Sequence, residues 1–442
     1  MSSGPYPRAI DAELEAAGLP ALGRTSWLEI DLDALATNLE AIRSVAGSGV
    51  RVVPVVKADA YGHGLAPIAL ALERLGADGL AVATLDEALA LRDSGIRHDL
   101  LLLQPIRPAL AAAAAEAGIT VTLGDRAHVD SIVRAIGAVA RSPRLRVELE
   151  IETGLGRGGI DVDEAAEAAS LVRATPGLEL VGAWSHLQAP EDAERSRRQA
   201  ERFERFERFG RGGDVARHLS SSGGLLAATA PRYDGVRPGL ATYGLVPDEL
   251  LDVTRAPGAA GRDLAARLRP VMALRARPVR VAELPAGWGV SYGPTWVAGR
   301  ASRIATLPVG YGDGWPRSLS NRAEVLVRGV RAPLVGNVAM DAVMADVTDV
   351  PGPPVDVAEV FTLLGSDGAE RISAHDLARS RTTNAWEVVT SMSARLTRVY
   401  YLAAVPVGLR SLTSLALTGP RDSWPASSFG TGTSATWRST RS

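Results

Sequence analysis

From about residue 25 to residue 245, short apolar runs alternate with longer stretches of helical periodicity, and this rhythm leaves the chain few possible folds. The runs Arg51–Val56, Gly79–Ala83, Leu100–Gln104, Ile119–Leu123, Leu145–Ile151, Leu178–Trp184, Ala216–Ser220 and Tyr233–Val236 read as strands. Between them Ala66–Leu75, Asp86–Asp93, Arg126–Ala140, Asp163–Ala174 and Glu191–Phe209 read as helices. About eight strands, each followed by a helix, is the count of a (β/α)8 barrel, whereas a doubly wound open sheet usually stops at about five or six. After residue 265 the pattern changes to short, Val-rich segments broken by Gly, Pro and Asp, such as SRIATLPVG and AVMADVTDV. Those segments predict an antiparallel β domain. The expected organisation is therefore a leader over 1–24 with a short helix from Arg8 to Ala17, and a barrel over 25–265. A β domain over 266–410 and a disordered tail over 411–442, rich in Ser, Thr and Gly, complete it. Pro247–Arg269 reads as the link between domains, Asn384–Leu396 as a late helix and Arg398–Val405 as a closing strand.

A chain of 442 residues can bury a core of this size. Its net charge of -2 gives no footprint for nucleic acid. No apolar stretch approaches the ~20 residues that span a bilayer, and the polar N-terminus lacks a signal-peptide core. With no cysteine, disulfides and thiolate metal sites are excluded. His63, His98, His128, His218 and His375 show no metal-ligand spacing and read as structural or surface residues, so no metal site is expected. These features predict a cytoplasmic enzyme. The helix ERSRRQAERFERFERFG carries alternating charges on a solvated face, with Phe203, Phe206 and Phe209 at three-residue spacing.

The sharpest chemical signal is VVPVVKADAYGHG, residues 52–64, in which an apolar strand ends in Lys57. The carboxyl ends of barrel strands are where barrel enzymes do their chemistry. Apolar neighbours there would desolvate the amine and lower its pKa, which suits it to condense with an aldehyde. A lone strand-end lysine would more simply snorkel to solvent; the thirteen-residue run is more specific.

That run resembles the cofactor-attachment motif of bacterial alanine racemases, a fold-type III family dependent on pyridoxal 5'-phosphate (PLP), and the resemblance extends over nearly all of residues 25–405. It implies a barrel with an appended β domain, PLP on Lys57, and a homodimer whose active sites are shared between subunits. The phosphate would rest after strands seven and eight, on Ser222 in HLSSSGG and on the backbone of Gly239 and Leu240 in GVRPGLATYGL, with Tyr61 adding its hydroxyl. Arg237 matches an arginine set against the pyridine nitrogen. A guanidinium does not readily release its proton, so the ring stays neutral and racemisation is favoured over transamination.

Racemisation needs a base on each face of the substrate carbon. The resemblance assigns one face to Lys57 and the other to Tyr292 of GVSYGPTW, entering from the partner subunit, with His186 of WSHLQAPED bridging that tyrosine to Arg237. Arg157 of IETGLGRGGI and the Met340 backbone match carboxylate-binding positions, and Tyr311 of GYGDGWPR matches a tyrosine that narrows the access channel. The expected reaction interconverts L- and D-alanine and supplies D-alanine for peptidoglycan. Three positions depart from the family. Ser221 stands where an asparagine is usual, Glu150 where many members carry a carbamylated lysine, and Ala394 where some have a tyrosine. They leave open a racemase for serine or for a broader set of amino acids. A fold-type III decarboxylase and a non-catalytic PLP-binding protein remain as further alternatives.

Overall fold

A computed structural model describes residues 10–137, 143–210, 215–412 and 414–418. Of these, one compact unit gathers residues 36–60 and 65–268, and a second gathers residues 10–35, 61–64 and those from 269 onward.

The first unit is a barrel of eight parallel strands. Its order runs Arg51–Val52, Gly235–Arg237, Ala216–Ser221, Leu178–Trp184, Leu145–Glu152, Ile119–Leu123, Leu100–Leu102 and Leu80–Val82. Strands buried on both faces are rich in apolar side chains, and Leu100–Leu102 and Ile119–Leu123 are buried at every position. The first strand is regular only over Arg51–Val52, because Pro54 has no N–H to donate. Hydrogen bonds continue past it. Val53 donates to Val236 at 2.9 Å and Val55 to Pro238 at 2.8 Å, while Val56 donates to Ala81 at 2.8 Å. The parallel bridge between Val55 and Ala81 closes the ring. Pro247–Arg269, expected as linking chain, is wound into the short helical turns Asp248–Leu250, Leu251–Arg255 and Arg262–Arg267.

The second unit is built on a large, mostly antiparallel sheet and a smaller three-stranded one formed by Arg280–Leu284, Ser302–Leu307 and Val343–Asp346. At the centre of the large sheet lies Ser26–Asp31, antiparallel to Met272–Ala276 and parallel to Thr397–Leu402. This corrects the expectation that the barrel begins near residue 25: the strand's partners come from the C-terminal half, so it belongs to this sheet. Trp27, Tyr400 and Phe361 fill the core. Arg398 is also buried there, and it donates to the carbonyls of Gly62, Met392, Ser393 and Leu396. The late helix ends at Thr390, short of the expected Leu396, and is preceded by Ala374–Arg381, which starts at a Ser373/Asp376 capping box. The tail was expected to be disordered from residue 411. Val405–Ser411 instead pairs with Ser414–Thr418, so the sheet runs on to Thr418, and 419–442 lie outside the described residues. The first helix is Ile10–Ala16. Among the described residues no helix is long and apolar enough to cross a membrane.

Candidate active site

Lys57 follows the first barrel strand, and the chain after it does something unusual for L-residues. Ala58, Asp59, Ala60 and Tyr61 all take positive φ, between 53° and 56°, forming a left-handed turn. Each such residue costs roughly 1–2 kcal/mol, so the turn must be held from outside. Glu87 does this with one carboxylate: Oε1 accepts from the Ala58 N–H at 2.7 Å, and Oε2 accepts from Ala83 and Thr84 at 2.9 and 3.1 Å. Asp59 Oδ1 accepts from Leu65 N–H at 2.8 Å and fastens the other side.

Burial, and then the Arg157 charge, hold the Lys57 amine below its ordinary 10.5; Arg237 adds to the lowering and Glu87 opposes it. The amine is therefore biased toward its neutral, nucleophilic form. Arg157 Nη2 donates to Glu150 Oε1 at 3.0 Å; the arginine side chain is 54 % exposed and the glutamate 7 %. Burial raises the Glu150 carboxyl above its usual range, although the Arg157 hydrogen bond and charge pull it the other way.

Arg237 ends the eighth strand inside the barrel and is almost fully buried. Nη2 donates to Ser185 O at 2.7 Å, Nη1 donates to His218 O at 3.0 Å and to His218 Nδ1, and the guanidinium lies 4.7 Å from the centre of the Trp184 ring. Burial lowers it to about 10, against the opposing charges of Glu148 and Glu150. The imidazole that Arg237 donates to is thus His218, one of the histidines expected to be structural or at the surface. His186, expected in that place, is held to about 3 by burial and the charges of Arg237, Arg157 and Lys57, and so is neutral.

Near the seventh and eighth strand ends, Ser222 Oγ accepts from Gly239 N–H at 2.9 Å and from Ala241 N–H at 3.0 Å. The 3-10 turn Leu240–Tyr243 brings these amides to one hydroxyl.

The remaining candidates lie in the second unit. Tyr292 is 76 % exposed, on a loop whose carbonyl accepts from Asn337 Nδ2 at 2.8 Å. Tyr311 N–H donates to Ala339 O at 3.1 Å and Gly312 N–H to Met340 O at 2.9 Å, so the loops carrying Tyr311 and Met340 are zipped together. Gly310 is required there, since a Cβ would fall 2.3 Å from Ala339 O. Asp313 is fully buried and grips Arg24 at 2.6 and 3.1 Å. Burial pushes the Tyr61 hydroxyl up to about 12. Glu87, Glu148 and His218 escaped the sequence reading; only Glu87 carried a signal, as the last residue of a Thr84–Glu87 capping box. Among the described residues, no group of three or more His, Cys, Asp or Glu could hold a metal ion.

Two family profiles match the chain, "Alanine racemase, N-terminal domain" over residues 30–247 and "Alanine racemase, C-terminal domain" over residues 271–400. Alanine racemase of Salinispora tropica is 40% identical over 384 residues, 84% of this chain and 97% of the relative. That of Halothermothrix orenii is 35% identical over 384 residues, covering 85% and 97%. Among solved structures, alanine racemase of Bacillus anthracis aligns with TM-score 0.80 at 31% identity, covering 89% of this chain and 99% of the other. Alanine racemase of Streptomyces lavendulae aligns with TM-score 0.76 at 33% identity, covering 87% and 98%. A barrel with an appended β unit and these likenesses define an amino-acid racemase, an isomerase. The chain belongs to the alanine racemase family.

Proposed function

We propose that this chain interconverts L- and D-alanine with PLP held on Lys57, Lys57 and Tyr292 acting as the two bases. The observation that carries the reading is the partly buried Lys57 amine, biased toward its neutral form beside two guanidiniums. The surrounding donors fit a phosphorylated aldehyde. An uncharged amine suits the aldehyde carbon, and the Ser222 hydroxyl and the Gly239 backbone would meet the phosphate. Leu240 and the Tyr61 hydroxyl complete that end, and Arg237 would lie against the ring nitrogen. When bound, PLP supplies an electron-withdrawing ring that acidifies the alanine Cα proton.

The protein's part is to move that proton and restrain everything else. Lys57 Nζ takes or returns it on one face of Cα, and the Tyr292 hydroxyl does so on the other. Tyr292 is exposed in its own unit, which supports its assignment to a partner subunit's site in a homodimer. Arg157, backed by Glu150, binds the substrate carboxylate together with the Met340 backbone. Arg237 retains its proton and so limits electron withdrawal by the ring, which keeps the substrate carbon basic and reprotonation fast. Neutral His186 adds no charge beside it. Tyr311 limits the side chain to about the size of a methyl group. The Bacillus anthracis relative was solved with bound L-Ala-P, which supports alanine as the substrate here. We place the reaction in the cytoplasm, where its D-alanine would feed peptidoglycan.

The test is the PLP-loaded protein with L-alanine in D2O. Solvent deuterium at Cα of both enantiomers is the expected outcome. Release of CO2, or absorbance of bound cofactor without exchange, would overturn the reading.

A further inference from the structure

Inside the barrel, a carboxylate, an imidazole and a guanidinium stand in line. Glu148 Oε2 lies 2.8 Å from His218 Nε2, and His218 Nδ1 contacts Arg237 Nη1. Glu148 is 7% exposed, His218 8% and Arg237 3%. A guanidinium nitrogen can only donate, so Nδ1 must be the acceptor and carry no hydrogen. The imidazole proton is then on Nε2, pointing at Glu148, a carboxylate that can only accept. Each contact dictates the direction of the next, and only a neutral, Nε2-protonated His218 satisfies both. Burial and the Arg237 charge do keep His218 from protonating, with Glu148 opposing them.

The fold makes room for this line. Glu148 and Gly182 face each other on paired strands, and a Cβ at residue 182 would sit 2.8 Å from Glu148 Cδ. The His218 ring lies 12° from parallel to Trp184, with centroids 6.5 Å apart, and the same indole underlies Arg237. Beneath the line, at the amino ends of the strands, a small cavity of about 40 Å³ is lined by Glu148, His218 and Arg237 together with Arg51, Asp99 and Arg146. Arg51 and Arg146 both pair with Asp99.

We propose that Glu148 is a positioning residue for Arg237: through His218 it fixes the imidazole tautomer and supplies a counter-charge that helps keep a buried guanidinium protonated. This inference rests on the proposed function, in which a reluctant Arg237 steers the chemistry toward racemisation. A buried charge without a counter-charge releases its proton more readily. Losing Glu148 would therefore make Arg237 a better donor to the ring nitrogen, and electron withdrawal by the ring would increase. The reaction it should unmask is transamination, in which alanine leaves as pyruvate and its amino nitrogen stays on the cofactor.

Two measurements test this. In the PLP-free protein with 15N-labelled histidine, long-range proton–nitrogen correlation, assigned against His218→Asn, should show His218 with a bare Nδ1 and a protonated Nε2. A protonated Nδ1 in the wild type overturns the proposal, whether or not the protein is a racemase. In the loaded enzyme, Glu148→Gln keeps the acceptor oxygen and removes only the charge. The number of racemisation events per pyruvate released should fall about tenfold, the change expected for one pKa unit at Arg237, with the KM for alanine held. An unchanged ratio, with or without a fall in Tm, leaves Glu148 a merely structural residue. A wild type that neither binds PLP nor exchanges Cα protons defeats the functional reading instead, and the tautomer measurement still judges the line itself.

Discussion

Replacing Glu150 with glutamine separates function from stability in a way the structure makes quantitative. Glu150 is buried and its partner Arg157 is half exposed, at 3.0 Å. A hydrogen bond to a charged group is worth about 1.5–3 kcal/mol when both partners are buried. With water reaching Arg157, the coupling falls to about 1 kcal/mol. An amide can still accept from the guanidinium but no longer anchors its charge, so the KM for alanine should rise about fivefold, the equivalent of that 1 kcal/mol. Stability should move the other way. The folded protein holds the Glu150 proton to a higher pH than the unfolded chain, because burial outweighs Arg157. It therefore binds more protons in that window, stability declines as pH rises through it, and at neutral pH the ionised carboxylate is a net cost. Removing the charge should leave Tm unchanged or higher. Racemisation kinetics and thermal melts on the same preparation read both quantities. A KM equal to wild type, or a Tm several degrees lower, would refute the reasoning.

Tyr292→Phe should abolish Cα exchange from one enantiomer while depressing exchange from the other far less, as followed by NMR in D2O; equal, mild losses would remove its role as the second base. The rate of PLP capture by the cofactor-free protein should rise with pH around a midpoint below 10.5, and Arg157→Gln should move that midpoint upward because a cation beside Lys57 is gone. His186 stays neutral in the folded state down to about 3 but protonates near 6.5 when unfolded, so stability present above 6.5 is lost as pH falls toward 3. His186→Gln should flatten that acid limb of the Tm profile. Glu87→Gln leaves a single acceptor oxygen for the N–H groups of Ala58, Ala83 and Thr84, and the midpoint of denaturant unfolding should drop by the equivalent of about 1 kcal/mol.

The barrel is legible in the sequence because strands covered on both faces are mostly apolar, as in the run at Leu100. Lys57 is legible for the same reason, as a cation placed where an apolar run stops. Ser26–Asp31 is not, because the partners that make it a strand lie at the far end of the chain, at Met272–Ala276 and Thr397–Leu402. Nor is the pairing of Glu148 with His218, residues 70 positions apart that meet only through the strand register around the barrel. Position 148 reads as one charged residue alternating with apolar ones, and nothing local says that it faces inward. Gly182 is equally silent until its missing Cβ is seen to leave space for that carboxylate. The left-handed turn after Lys57 runs through two alanines, residues with no preference for positive φ, so Glu87 and Asp59 impose it from elsewhere.

The account depends on one amine, at Lys57, capturing the cofactor. The most direct measurement is borohydride reduction of the PLP-loaded protein, followed by mass analysis of its peptides. A reduced pyridoxyl group on the peptide containing Lys57, absent from Lys57→Ala, is the predicted result. A protein that carries no adduct there, or carries it elsewhere, contradicts the account.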